Sequence, residues 1–296
     1  MAVPKWHVFV NPAAGSRPVD PYLIARLLKD LGLEVEMVVP SSSKETRAMI
    51  EESARAGASH FAVAGGDGTV NLAVNALMPL ELDPRPVLGV LPVGTGCDLL
   101  RTFGLPQDLA GAARHLATED IYPLDVAAME GGWGLRHFVN VAQTGVGAAA
   151  VQTAMRMGRR LGTTRYPLAF AARLPGFPRA QVRITTERRT IETEALAVIM
   201  ANAQFFAGGW NIAPKATVVD GVLDLQVIDC RKTRAPALVP KLIKGTHLTD
   251  PAVRRLSAAE FTIETEPSWP VECDGDFLGN TAVKGRVVPA AISLKI

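Results

Sequence analysis

Hydrophobic and polar positions change rhythm once along this chain, and each rhythm predicts its own elements. Trp6 to Val10 is a short apolar run that predicts a strand. Tyr22 to Leu31 has helical spacing and stops at Gly32, a C-cap signal. Leu33 to Val39 alternates as a second strand, and Ser41-Ser42-Ser43 can cap a helix from Lys44 to about Ala56, which Gly57 ends. His60 to Ala64 reads as a buried strand, broken by Gly65-Gly66-Asp67-Gly68-Thr69 before helical spacing resumes over Val70 to Met78. Val87 to Leu91 is a further strand, followed by the loop Pro92 to Asp98 and a helix from Leu99. Strands alternating with helices predict a doubly wound, Rossmann-like parallel sheet with ligands at the carboxyl ends of its strands.

Near residue 122 the texture changes to short alternating runs: Asp125 to Met129, Phe138 to Ala142, Gln181 to Thr186, Ala195 to Ala201, Leu223 to Ile228 and Phe261 to Thr265. Turn signals at Glu130-Gly131-Gly132, Asp220-Gly221 and Asp274-Gly275 separate them and predict a β-rich second domain. Helical segments interrupt it around Ala148 to Arg160 and Pro236 to Lys244. The expected division is an α/β domain over 1–122 and a β-rich domain over 123–286. The strand-like end, 287–296, either returns to the first domain or stays with the second.

Composition narrows the classes. The chain has 296 residues, 48% hydrophobic and 20% charged, enough for two cores and ordinary for a water-soluble protein. A net charge of +2 gives no signature of nucleic-acid binding. Cys97, Cys230 and Cys273 are far apart, so neither a disulfide framework nor a zinc site is expected, and a reduced cytoplasmic setting fits. The first strand begins too early for a signal peptide, and no apolar run reaches the ~20 residues of a membrane span. Membrane contact is therefore expected to be peripheral.

The glycine-bearing loops at 11–15, 65–69 and 94–98 all fall at the carboxyl ends of predicted parallel strands. Gly65, Gly66 and Gly68 let backbone N–H groups approach phosphate oxygens, and the following helix adds partial positive charge. Asp67 repels a phosphate unless a metal or a transferring proton lies between them. Asp98 stands on the same rim, Asp220 and Asp224 flank a turn in the β-rich part, and Asp274 and Asp276 share a face of an extended stretch. Carboxylates with a phosphate cradle suit phosphoryl transfer. Gly145-Val146-Gly147 fits the dinucleotide fingerprint only superficially, since no acid follows about twenty residues later; a close-packed turn is the better reading. The five histidines form no cluster with ligand spacing.

In order along the chain, these motifs resemble the diacylglycerol-kinase-type lipid kinases, a family that includes bacterial diacylglycerol and phosphatidylglycerol kinases and the sphingosine kinases. Asn11-Pro12-Ala13-Ala14-Gly15 resembles its NPxSG, and Gly65 to Asn71 its GGDGTxN. Pro92 to Asp98, with Arg101 and Gly104-Leu105-Pro106, resembles its PxGTxND run. Phe138-Val139-Asn140, Asn202 through Gly208-Gly209, Asp220-Gly221-Val222-Leu223-Asp224 and Asp274-Gly275-Asp276 match its later motifs. The resemblance spans residues 11 to 276. It implies a nucleotide-binding domain followed by a β-sandwich-like domain, with ATP and Mg²⁺ in the cleft between them. Asn11, Ser41, Gly65, Gly66, Asp67, Gly68, Thr69, Asn71, Gly94 and Thr95 would surround the nucleotide. Asp67 and Asp98 would join a metal–water network. Asp220, with main-chain oxygens near Thr217 and Val222, would hold a second, structural Mg²⁺. Asp276 or Asp274 would be the base that deprotonates a lipid hydroxyl, with Asp276 favoured.

The chain departs from the family at Leu72 (usually Glu), Cys97 (Asn), Lys215 (Asp), Val219 (Asp) and Asp276 (Glu). Shortening Glu to Asp draws a carboxylate back by roughly 1.5 Å. The expected acceptor is a lipid at an anionic membrane surface. From Arg156 to Arg189 there are nine arginines, no lysine and one acid, with Phe170, Leu174 and Phe177 between them. Such a stretch suits peripheral docking or a solvated basic face. Phe205-Phe206 would line a lipid pocket or the sandwich core. The alternatives are an NAD kinase-like enzyme acting on a soluble substrate and a catalytically dead lipid- or nucleotide-binding homologue; homodimerisation is left open.

Overall fold

The computed structural model describes residues 4–11, 14, 20–93 and 97–296, apart from the side chains of residues 159, 160 and 163. The chain forms two compact units, Met1–Asp125 with Pro289–Ile296, and Val126–Val288.

In the first unit, strands β1 (Lys5–Val10), β2 (Glu34–Val38), β3 (His60–Gly65) and β4 (Val87–Pro92) alternate with helices α1 (Pro21–Asp30), α2 (Ser43–Arg55) and α3 (Asp67–Leu77). Two further helices follow, α4 (Asp98–Thr102) and α5 (Leu109–Leu116). The sheet order is β2-β1-β3-β4, all parallel. Ser293 and Leu294 of the last strand add to β4, also in parallel, so the chain end returns to this unit. β3 and β4 lie in the middle of this sheet, and apart from His60 they are buried from end to end, which is why they read as unbroken apolar runs. Trp6, Val8, Ile24, Leu28, Ala62 and Leu91 fill one face of the sheet. Local chemistry sets the helix starts. Asp20 caps α1 ahead of Pro21, and Ser42 caps α2 through the Glu45 N–H at 3.2 Å.

The second unit is a β-sandwich. β5 (Ile121–Gly131) enters it and pairs with β6 (Gly134–Phe138), and then come β7 (Val141–Gly145) and helix α6 (Val146–Met155). A 3₁₀ segment, Arg159–Thr164, precedes α7 (Arg165–Arg173). Next are β8 (Ala180–Thr186), β9 (Thr190–Ala195), β10 (Ala197–Ala201), β11 (Leu223–Ile228) and α8 (Ala235–Lys244). Strands β12 (Val253–Ala258), β13 (Glu260–Glu266), β14 (Pro270–Cys273), β15 (Asp276–Asn280) and β16 (Val283–Lys295) complete the chain. One layer is antiparallel in the order β12-β11-β10-β7-β14-β15. In the other, β13 lies between β8 and residues 283–286 of β16, with β9 beyond β8. Val182, Ile184 and Ile263 from this layer share one core with Val198, Met200, Leu225 and Val271 from the first.

Two expected strands are corrected. The strand expected over Phe138 to Ala142 is broken at Val139–Asn140, between β6 and β7, because distant side chains satisfy the backbone there. Ala195 to Ala201 is two strands interrupted at Leu196. The Leu196 carbonyl accepts the Val146 N–H at 3.0 Å and lies against Gly145, whose φ is +96°. A Cβ on Gly145 would stand 2.5 Å from that oxygen, so this turn needs glycine for close packing.

Candidate active site

The first unit builds its part of the site where β3 passes into α3. Gly66 caps the helix in extended conformation, and Asp67 opens the first turn. Thr69 is buried against Gly65, where a Cβ would fall 2.2 Å from its Oγ1. Asn11, at the end of β1, donates from Nδ2 to the same Oγ1 at 3.1 Å, and its N–H bonds the Ala64 carbonyl. The first two glycine loops are thereby tied together. Asn71 is buried one turn further on and accepts from Asn75 Nδ2. Gly68 is exposed.

Asp67 and Asp98 meet at the next strand's end. Asp67 Oδ1 accepts the Asp98 N–H at 2.8 Å and the Cys97 Sγ at 3.2 Å. Cys97 thus donates its thiol hydrogen to Asp67. Burial, with the Asp67 charge beside it, pushes its thiol well above the usual range and keeps that donor protonated. Asp98 is 3% exposed and pairs with Arg101 Nη1 at 2.8 Å. Gly94 and Thr95 lie outside the described residues, as do Pro12, Ala13 and Gly15. Ser41 is spent on the helix start: its N–H donates to Glu45 Oε2 at 2.7 Å, and its hydroxyl bonds the same oxygen.

In the second unit the late acidic pair divides into two environments. Asp274 and Gly275 form the two-residue turn between β14 and β15, with φ of +46° and +90°, the left-handed pair of a tight hairpin. Both oxygens of Asp274 are engaged. Oδ2 accepts the Val139 N–H at 3.0 Å, and Oδ1 accepts those of Asn140 and Val141 at 3.1 and 3.0 Å. The break between β6 and β7 is thus held from 133 or more residues away, and Asn202 adds to it by donating to the Val139 carbonyl at 2.9 Å. Asp276 is exposed and lies 2.7 Å from Arg136 Nη2. Asp220 Oδ1 accepts the Val222 N–H at 3.2 Å, a turn-forming bond, and Thr217 is exposed nearby in sequence. Asp224 is buried and paired with Arg255.

Mg²⁺ is most often held by one or two carboxylates together with water and phosphate oxygens. Asp67 and Asp98 fit that donor set. Among the described residues, no group of three or more His, Cys, Asp or Glu side chains is placed to hold a metal on its own.

Three features were not read from the sequence. Arg136 stands against Asp276. Glu272 is a fully buried carboxyl beside the turn. An apolar cavity, open to solvent on one side, lies among α6, α7, α8 and β10, with walls including Val151, Phe170, Ile199, Phe206, Trp210 and Leu238. Among the described residues, no charged side chain lines it. Phe206 is thus a cavity wall as well as a core residue. The basic stretch also splits. Arg179 pairs with Asp229 and Glu194, and Arg183 pairs with Glu192, so these two do not belong to a free basic face. Arg156 and Arg173 remain exposed, near exposed Met155, Leu161 and Leu168 on α6, the 3₁₀ segment and α7.

Comparison with known proteins matches two family models: the diacylglycerol kinase catalytic domain over residues 5–129, and the YegS C-terminal NAD kinase beta sandwich-like domain over residues 140–296. The chain is 26% identical over 271 residues to the lipid kinase YegS of Escherichia coli strain K12, covering 91% of this chain and 89% of that one. It is 29% identical over 275 residues to a diacylglycerol kinase of Mycobacterium tuberculosis, covering 92% and 87%. A crystal structure of a diacylglycerol kinase from Bacillus anthracis strain Sterne superposes with a TM-score of 0.75 at 24% identity, covering 98% of this chain and 96% of that one, a likeness of fold.

Proposed function

The chain belongs to the diacylglycerol-kinase-type lipid kinase family, and from that premise we propose that it transfers the γ-phosphate of ATP, with Mg²⁺, to the hydroxyl of a lipid such as diacylglycerol. The observation that carries the lipid over a soluble acceptor is the cavity: its walls are almost wholly apolar and, among the described residues, hold no charge. An acyl chain gains about 0.8 kcal/mol for each buried methylene, whereas a dinucleotide would leave its phosphates unpaired there.

Each residue then has a task. The N–H groups of Gly66, Asp67 and Gly68, at the start of α3, hold the nucleotide phosphates, with Asn11 bracing the loop through Thr69 and with Asn71, Gly94 and Thr95 as further nucleotide-binding residues. Asp67 and Asp98 would hold Mg²⁺, which when bound would supply positive charge to offset the phosphates. Asp220, with the Thr217 and Val222 carbonyls, would hold the structural Mg²⁺. Asp276 is the base. Its carboxylate takes the proton of the lipid hydroxyl, the hydroxyl oxygen bonds the γ-phosphorus, and the bond from that phosphorus to the β,γ-bridging oxygen breaks to release ADP. Asp274 is not the base in this reading, because three backbone N–H groups already engage its oxygens.

No helix among the described residues is long and apolar enough to cross a membrane. Exposed Met155, Leu161 and Leu168 with Arg156 and Arg173 suit peripheral docking on anionic lipid. The function is tested with labelled ATP, Mg²⁺ and a panel of diacylglycerol, phosphatidylglycerol, sphingosine and NAD. Label in a lipid product is expected, and label in NAD alone overturns the reading.

A further inference from the structure

Glu272 is the one acid in the run from Trp269 to Cys273, and its side chain is 0% exposed. Its backbone pairs with Gln143 of β7 on one side and Phe277 of β15 on the other, beside a register shift at Val271. Oε2 accepts the Gly275 N–H at 2.9 Å, and the Gln143 side chain also hydrogen-bonds the carboxyl. We propose that Glu272 is a positioning residue for the base: its buried carboxyl fixes the Gly275 amide, and through it the turn that presents Asp276. The proposal rests on the assignment of Asp276 as base.

The geometry makes the turn a clamp with two jaws. Asp274 holds it from the β6–β7 break, and Glu272 holds it from within its own strand. Only the residue after these two anchors, Asp276, faces outward to Arg136. Proton transfer demands hydrogen-bond reach, so a base on a shortened side chain gains from a fixed backbone. Gln143, the register partner of Glu272, also lines the apolar cavity, so the same strand pair borders the lipid-binding space.

The charged groups acting on Glu272 are Asp274 and Asp276 on its hairpin, and the neighbouring Cys273 thiol, which Arg136 also faces, stays protonated; α6, packed on β14, contributes no ionisable side chain. Burial pushes the Glu272 carboxyl up to about 8, against hydrogen bonds from the Gln143 side chain and the Gly275 N–H, with the charges of Asp274 and Asp276 adding to the rise. The carboxyl is thus neutral at pH 7. Its ionisation above that range sets a third negative charge beside Asp274 and Asp276.

The test compares wild type, Glu272→Gln and Glu272→Leu by diacylglycerol phosphorylation in mixed micelles and by amide exchange over residues 274–277. Glutamine keeps an acceptor and no charge, so kcat stays within about threefold of wild type, and the fall in kcat above pH ~8 disappears. Leucine removes the acceptor: kcat drops about tenfold or more, KM for ATP holds, and protection of the turn amides is lost. Unchanged kcat and protection in Glu272→Leu overturn the proposal, as does an identical alkaline limb in wild type and Glu272→Gln. The pH comparison does not depend on how the leucine variant folds. A wild type that phosphorylates no lipid defeats the proposed function instead, and amide exchange still decides whether Glu272 holds the turn.

Discussion

Replacing Asp274 removes the acceptor for three backbone donors at once, and the structure gives the scale of the loss. The Val139, Asn140 and Val141 N–H groups lie 3.0–3.1 Å from its carboxylate, and all three residues are buried. A buried donor left without a partner costs about 1–3 kcal/mol, so simple addition gives about 3–9 kcal/mol. Relaxation and water entry bring single substitutions below such sums, and about 4 kcal/mol is expected for Asp274→Gly. Glycine is the right replacement because φ is +46° there, a conformation in which alanine would add strain of its own. Asp276→Ala is the control. Its exposed pair with Arg136 contributes at most about 1 kcal/mol, so this variant keeps its stability while losing activity. Urea unfolding followed by circular dichroism reads both. An Asp274→Gly protein within about 1 kcal/mol of wild type refutes the clamp, as does an Asp276→Ala protein equally destabilised.

Asp67→Asn is expected to lower kcat about a hundredfold or more with the melting temperature unchanged, because an amide oxygen can still accept from Asp98 and Cys97 while its metal-side charge is gone. The stability of wild type is expected to fall by about 3 kcal/mol relative to Glu272→Gln between pH ~5 and ~7.5. The sign follows from the raised carboxyl: the folded state keeps the Glu272 proton up to about 8, the unfolded chain releases it near 4.5, and stability is lost as pH rises between them. Parallel pH dependences of the two proteins contradict this. Val239→Trp, at the half-buried cavity wall on α8, is expected to raise KM about fivefold for a long-chain diacylglycerol but not for a dioctanoyl one, with KM for ATP unaffected.

The first unit was legible because local physics dictates it. β3 and β4 are buried on both faces and read as apolar runs, and Asp20, Ser42 and Gly66 mark helix starts within a few residues of the pattern they open. The second unit was less so. α7 was hidden inside an arginine-rich stretch with Pro167, and β14 and β15 are short strands whose pairing depends on a turn of two residues. The Val139–Asn140 break looked like a strand because its partners, Asn202 and Asp274, are distant in sequence. The same holds for the candidate site. Glycine loops and acids announce phosphate chemistry in the sequence, but the different surroundings of Asp274 and Asp276 exist only once β6, β7 and the β14–β15 turn come together. Glu272 offered one signal, an acid in an apolar run, and only its burial gives that signal meaning.

The most direct measurement is transfer of label from γ-labelled ATP in the presence of Mg²⁺ to dioleoylglycerol in mixed micelles, run beside NAD and beside the Asp276→Ala protein. Labelled phosphatidate from wild type, none from Asp276→Ala and none in NAD is the expected result. Label in NAD without lipid product, or undiminished lipid product from Asp276→Ala, contradicts the account.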